Sequence, residues 1–180
     1  MKKYDTKLEG VFVLEPKVFG DARGFFLESY NERAMADAGI RERFVQDNHS
    51  YSAQNVVRGL HYQIRHAQGK LVRVVVGEIL DVAVDLRRSS RTFGQWSAIP
   101  LSAGNQHMLW IPPGLAHGFR VMSEHAHVLY KATDYYSPEE ERTLAWNDPD
   151  LKIDWQCAGE AIVSAKDQRG TPFREAEKFE

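Results

Sequence analysis

The sequence predicts a mainly β protein, a sandwich or small barrel with short flanking helices. Three observations carry that prediction. Short apolar runs recur along the chain, most of them closed by glycine or proline turns. The two densest runs, residues 70–76 with four valines and residues 79–86, are joined by Gly77-Glu78, a tight turn. Long helical crossovers between strands are missing, which argues against a doubly wound parallel sheet.

The elements follow in order. Residues 11–14, Val-Phe-Val-Leu, form a strand that Pro16 stops. Gly20-Asp-Ala-Arg-Gly24 turns the chain and residues 25–30 resume as strand. Residues 31–39 are the best helix: Asn31 caps it, helix formers fill it, and Gly39 ends it. Phe44 opens a further extended segment. In residues 79–86, Asp81, Ala83 and Asp85 share one face while Leu80, Val82, Val84 and Leu86 share the other. Residues 96–101, 107–111, 118–122 and 127–136 continue the strand pattern. The C-terminal segment reads as short helices and loops wrapped on the sheet, anchored by Trp146, Trp155 and Phe173. No repeat or linker interrupts the chain, so residues 1–180 are read as one domain.

Composition narrows the function classes. The apolar fraction of 43% and charged fraction of 27% are ordinary for a globular chain. A net charge of -2 argues against general nucleic-acid binding while leaving room for a local basic pocket. The single cysteine, Cys157, excludes a disulfide framework within the chain and a cysteine-rich zinc site. The N-terminal residues lead into no long apolar run, so neither a signal peptide nor a membrane span is expected. A cytoplasmic protein is the simplest expectation.

The chemistry concentrates in Arg58-Gly-Leu-His61-Tyr-Gln63 and Gln68-Gly-Lys70-Leu-Val-Arg73. A histidine among cations can act as a base near pH 7 while the cations hold an anionic partner. A half-buried structural histidine is the bland alternative. Regular strand alternation sends Arg58 and His61 to opposite faces. Either the strand bulges there or only one of them faces a cavity. Lys70 shares a face with Val72, Val74 and Val76. If that face is internal, its ammonium needs an anion, and Asp81 is available; otherwise Lys70 sits at the rim and reaches water.

The second signal is Ile111-Pro-Pro-Gly-Leu-Ala-His117-Gly-Phe, a rigid turn that delivers a histidine onto a strand. Metal-binding jelly rolls often carry a similar element with a His-x-His pair upstream. Here that pair reads His61-Tyr-Gln63, and His107, His125 and His127 offer no metal spacing, so no metal is expected. Tyr130 would matter as a proton donor only if it faced a cavity beside a lysine. Asp167 would matter only if the tail folded back to the histidine, where it would fix the ring tautomer.

Taken together, these residues resemble the dTDP-4-dehydrorhamnose 3,5-epimerase family of nucleotide-sugar epimerases. The resemblance rests on residues 19–30, 44–50, 57–63, 68–73, 81–87, 111–119, 129–133, 146–150 and 164–167, in that order along nearly the whole chain. It implies a cupin-type jelly roll, a homodimer with exchanged N-terminal strands, no cofactor and no metal. It implies a nucleotide-sugar substrate, dTDP-4-dehydro-6-deoxy-D-glucose, inverted at C3 and C5 to dTDP-4-dehydro-L-rhamnose. In that reading His61, oriented by Asp167, is the base; Lys70 stabilises the enolate; Tyr130 is the opposing acid. His117 and Asp81 support the pocket. Arg58 holds the diphosphate with Arg23, joined by Glu28, Gln46 and Asn48, some of them from the partner subunit. Tyr135 or a neighbour stacks on the thymine. One departure stands out: Glu141-Arg142 replaces the family's usual Glu-Gly. A relative acting at one carbon only shares most of this machinery. A non-catalytic sugar-binding jelly roll and a metal-dependent cupin fit the coarse fold but leave Arg58, Lys70, Tyr130 and Asp167 unexplained.

Overall fold

The structure is a computed structural model that describes residues 1–157 and 159–180. Among the described residues the elements are β1 (Lys2–Asp5), β2 (Phe12–Glu15), β3 (Val18–Asp21), β4 (Gly24–Leu27), α1 (Glu32–Ala38), β5 (Gln46–Ala53), β6 (Val56–Gln63) and β7 (Lys70–Val76). They continue as β8 (Glu78–Asp85), β9 (Trp96–Ser102), β10 (Met108–Ile111), β11 (Leu115–Val121), β12 (His125–Ala132), β13 (Glu141–Thr143) and β14 (Ile162–Val163), followed by a 3-10 turn, Asp167–Arg169.

The pairing makes a jelly roll. β8 pairs with β9, β7 with β10, β6 with β11 and β5 with β12, each antiparallel. These nested pairs fall alternately into two sheets, ordered β1-β2-β10-β7-β12-β5 and β13-β6-β11-β8-β9, with β14 beside β6. The folded-over ribbon is the cupin arrangement of two facing sheets. Gly77, at φ +78, makes the turn between β7 and β8; a Cβ there would lie 2.0 Å from the His125 carbonyl oxygen.

Alternation decides what each face buries. Val72 and Val74 of β7, Leu109 and Ile111 of β10, Ile79 and Ala83 of β8, and Phe119 and Val121 of β11 meet between the sheets. The opposite face of β8, Leu80, Val82 and Val84, packs under the C-terminal segment through Leu144, Leu151 and Trp155, with Trp146 and Phe173 against them. The outer face of the first sheet, with Trp110, is partly covered by Met35 of α1 and by Ile40 and Phe44 just after it. Asn31 caps α1 by accepting from the Ala34 N–H, and Gly39 ends it at φ +102.

The differences from the sequence reading have physical causes. β1 was invisible because all four of its residues are exposed, leaving no apolar alternation. The strand expected over 25–30 is the hairpin strand Gly24–Leu27, and Phe25 and Phe26 are not core; they are 62% and 69% exposed. The strand expected over 127–136 ends at Ala132, because residues 134–137 form a turn held by side chains. The C-terminal segment supplies β13 and β14 to the second sheet where short helices were expected. Among the described residues no helix is long and apolar enough to cross a membrane.

Candidate active site

The two sequence motifs meet at a β-bulge. His117 of β11 lies opposite His61 of β6, yet Phe119 lies opposite Arg58, so β6 carries one extra residue between the same two rungs. The extra residue restores Arg58 to the face that His61 occupies. Two glycines make this possible. A Cβ on Gly59, at φ +118, would sit 2.6 Å from the Gly118 Cα, and one on Gly118 would sit 2.5 Å from the Arg58 carbonyl oxygen. Each glycine is the space the other needs.

His61 meets Asp167 across more than a hundred residues of sequence. Its Nε2 lies 2.6 Å from Asp167 Oδ1, and the Gly59 N–H donates to Asp167 Oδ2 at 3.2 Å. Ser164 Oγ accepts from the Asp167 N–H at 3.1 Å and fixes the turn. Asp167 is 3% exposed. Burial alone would push its carboxyl up, but the His61 ring, with the Gly59 N–H and Ser164, holds it below the usual carboxylate range. An ionised Asp167 accepts from Nε2–H and so leaves His61 Nδ1 with the free lone pair.

Lys70 enters from the facing sheet. It shares the inner face with Val72 and Val74 and is 9% exposed, so the internal alternative holds and the rim alternative does not. Its Nζ reaches the His61 carbonyl oxygen at 3.5 Å. Asp81 does not take Lys70 as its contact partner; both Asp81 oxygens lie 2.9 to 3.0 Å from His117 Nε2. Burial pushes the Lys70 ammonium down to about 8, against the opposing pull of Asp81 and Glu141. This cation is desolvated and poorly paired, the condition in which a nearby developing anion is most strongly stabilised.

Tyr130 projects from β12 against the inter-sheet core, on the wall facing β6. Burial and then Glu141 push its phenol up while Arg58 pulls it down; the net rise keeps it protonated at neutral pH. Arg58 is exposed at the mouth, donating from Nε to Ser52 Oγ at 2.8 Å and from Nη2 to the Tyr51 carbonyl at 3.2 Å.

Sequence reasoning gave Glu141 and Lys166 no role and reached Tyr136 only as a neighbour of Tyr135. Glu141 Oε2 accepts from Tyr136 Oη at 2.8 Å and lies 2.6 Å from Lys166 Nζ. Burial pushes this carboxyl up, but Lys166 and Tyr136 outweigh it and hold it low. The available signal was position: β13 places Glu141 opposite Gln63 and Thr143 opposite His61. Lys166 also immediately precedes Asp167 in the chain.

The remaining predicted residues divide. Asn48 lies opposite Tyr130, and its Oδ1 accepts from Gln46 Nε2 at 2.9 Å; its buried Nδ2 has no partner among the described residues. Gln46 Oε1 accepts from the Tyr136 N–H. Tyr135 points to solvent at 66% exposure, and its neighbour Tyr136 is the ring bonded to Glu141. Arg23 pairs with Asp21 on the β3–β4 hairpin, and Glu28 accepts from Asn31 Nδ2 at 3.2 Å; neither is bonded to the pocket of its own chain. The histidine expected of a metal site is Gln63, whose amide is spent on backbone groups. Among the described residues no three His, Cys, Asp or Glu side chains gather as metal ligands.

Similarity to known proteins agrees with this geometry. A family model described as dTDP-4-dehydrorhamnose 3,5-epimerase matches residues 5–175. The chain is 57% identical to the dTDP-4-dehydrorhamnose 3,5-epimerase of Pseudomonas aeruginosa over 180 residues, 99% of each chain. Its fold matches the Legionella pneumophila dTDP-6-deoxy-D-glucose-3,5-epimerase in complex with dTDP-4-keto-L-rhamnose at TM-score 0.94 and 46% identity, over 98% of this chain and 94% of that one. It also matches a 3'-monoepimerase from Streptomyces bikiniensis in complex with dTDP-quinovose, at TM-score 0.88 and 30% identity, over 94% and 86%. With a family model matched across nearly its whole length and a relative more than half identical, the chain belongs to the dTDP-4-dehydrorhamnose 3,5-epimerase family.

Proposed function

We propose that this chain inverts C3 and C5 of dTDP-4-dehydro-6-deoxy-D-glucose to give dTDP-4-dehydro-L-rhamnose, through an enolate. The observation that carries the reading is the His61–Asp167 pair at 2.6 Å beside a desolvated Lys70, with a protonated phenol on the facing wall.

The C4 carbonyl acidifies the protons on C3 and C5. His61 Nδ1 takes one of them, and the electron pair passes to the C4 oxygen. Lys70 faces that oxygen as its charge grows, so its attraction is larger in the transition state than in the ground state. Tyr130 returns a proton to the same carbon from the opposite wall and inverts it. The imidazolium and the phenolate then exchange protons with solvent, and a second round treats the other carbon. Asp81 holds the His117 ring against the pocket floor. Arg58 binds the diphosphate, and the Asn48 amide is a donor at the nucleotide end. Tyr136 supplies the ring face for the base. Remote contacts of this kind position the sugar for the chemistry.

The functional unit is proposed as the whole chain and as a homodimer. Asp167 on the tail completes the base, so residues 1–180 act as one domain. Among the described residues the β3–β4 hairpin pairs only with itself, and it exposes Phe19, Phe25 and Phe26 beside Arg23, a surface suited to a second copy. In the dimer Arg23 and Glu28 reach the partner's pocket. The proposed substrate is a dianion that does not cross membranes unaided, which supports a cytoplasmic location for the reaction.

The test is the identity of the product. NMR of the reaction should show the doubly inverted L-sugar. Accumulation of a C3-inverted sugar alone would favour the single-carbon alternative, to which the monoepimerase likeness lends weight. Recovery of unchanged substrate of verified quality would refute the proposed substrate.

A further inference from the structure

Residues 134–137 form an exposed turn with no apolar anchor of its own: Tyr135 and Tyr136 are 66% and 52% exposed. Its backbone is held instead by glutamine side chains from three separate parts of the chain. Gln68 Nε2 donates to the Asp134 carbonyl at 2.8 Å. Gln63 Nε2 donates to the Tyr135 carbonyl at 3.2 Å and to the His66 carbonyl at 2.7 Å, while Gln63 Oε1 accepts from the Ser137 N–H at 2.9 Å. Gln46 Oε1 accepts from the Tyr136 N–H at 3.0 Å. The turn thus receives from side chains what a neighbouring strand would otherwise supply.

The residue type fits the task. A primary amide offers a donor pair and an acceptor, so it can mimic a peptide group on both sides. It carries no charge, and it neither repels an anionic substrate nor titrates in the working range. Gln63 is the most buried of the three, 4% exposed, and its donor and acceptor ends grip the turn on both sides of Tyr136. The Tyr136 ring is fixed from its other end by the bond from its hydroxyl to Glu141.

We infer that Gln63 and Gln68, with Gln46, are positioning residues: they hold the 134–137 turn as a preformed wall that presents the Tyr136 ring to the base of the nucleotide. This assignment rests on the nucleotide-sugar reading above. It gives Gln63 a purpose of its own at the place where a metal-binding jelly roll carries a histidine. It also places Gln46 behind the pocket wall, with its amide divided between Asn48 and the Tyr136 backbone.

The experiment measures the affinity of the full-length protein for dTDP by calorimetry, with melting temperature recorded for each variant. Gln63→Glu keeps the acceptor but, when ionised, turns both donors into repulsion against the His66 and Tyr135 carbonyls. Burial among carbonyls raises the pKa of that carboxyl, and once protonated it regains a donor. The Kd of Gln63→Glu should therefore exceed wild type by about tenfold or more at pH 8, and the variant-to-wild-type ratio should shrink to about threefold at pH 5.5. Gln68→Ala, which removes a single donor, should weaken dTDP by about threefold at any pH. For both, KM for the nucleotide sugar should rise with kcat within about threefold of wild type. Folded variants that bind dTDP as wild type does would overturn the assignment. So would a pH-independent loss that follows a lowered melting temperature, which marks a merely structural residue. Wild-type protein that fails to bind dTDP would instead overturn the nucleotide reading on which the assignment rests.

Discussion

His61 has one ring nitrogen committed to Asp167 and the other free, and this asymmetry underlies the role of base proposed for it. Asp167→Asn removes the charge that stabilises the imidazolium, so kcat should fall about 10²- to 10⁴-fold with KM little changed, read by steady-state kinetics. Lys70 gives a pH prediction. Its ammonium, with a pKa of about 8 in the folded chain, must be charged in the proposed mechanism to stabilise the enolate. As pH rises through about 8 it loses its proton, and kcat/KM should decline on that side of the profile. Stability has the opposite sign. Between about 8 and the ordinary 10.5 the unfolded chain holds more protons on this lysine than the folded one, so stability rises with pH there. Lys70→Met should therefore gain stability at pH 7, by on the order of 3 kcal/mol, while losing activity. An inactive variant that is also less stable in a urea titration would contradict the desolvated state assigned to Lys70.

At the scale of elements, the fold was legible wherever burial imposed a period. β7, β8 and α1 could be read because valines alternate, because Asp81 and Ala83 oppose Leu80 and Val82, and because Asn31 and Gly39 bracket a helix. The bulge in β6 was legible only as a conflict between Arg58 and His61; its resolution lay in Gly59 and Gly118, which are far apart in sequence and in contact in space. Gly59→Ala should cost about 2–4 kcal/mol and sharply reduce turnover, since its Cβ meets backbone and its φ is left-handed. Glu141 escaped notice because β13 is three residues long and carries no apolar signal. Its neighbour Arg142, the departure from the family pattern, lies opposite Tyr62 on the outer face and bonds Glu177 and the carbonyls of Glu139 and Glu141. It braces the tail from behind the sheet. Arg142→Gly should lower stability by about 0.5–1.5 kcal/mol and leave the product unchanged. A change from double to single inversion would show that the brace reaches the pocket.

At the scale of the molecule, the proposed catalytic group was legible because its members sit in compact motifs, while the surface proposed for the dimer was not. The phenylalanines of the β3–β4 hairpin read as a core strand, and only the fold shows them facing out. Replacing Phe25 and Phe26 by Asp should shift the protein to monomer in light scattering and lower kcat/KM at least about tenfold, through loss of buried apolar area and of Arg23. A fully active monomer would contradict the shared pocket. The central claim is inversion between two walls: His61 removes a proton from one face of the sugar and Tyr130 returns one to the other. It is tested most directly by NMR of dTDP-4-dehydro-6-deoxy-D-glucose with the protein in D₂O. Wild type should place deuterium at both C3 and C5 of an inverted product. His61→Ala should place it at neither, and Tyr130→Phe should retain exchange while losing inversion. Exchange that survives in His61→Ala, or inversion that survives in Tyr130→Phe, would contradict the account.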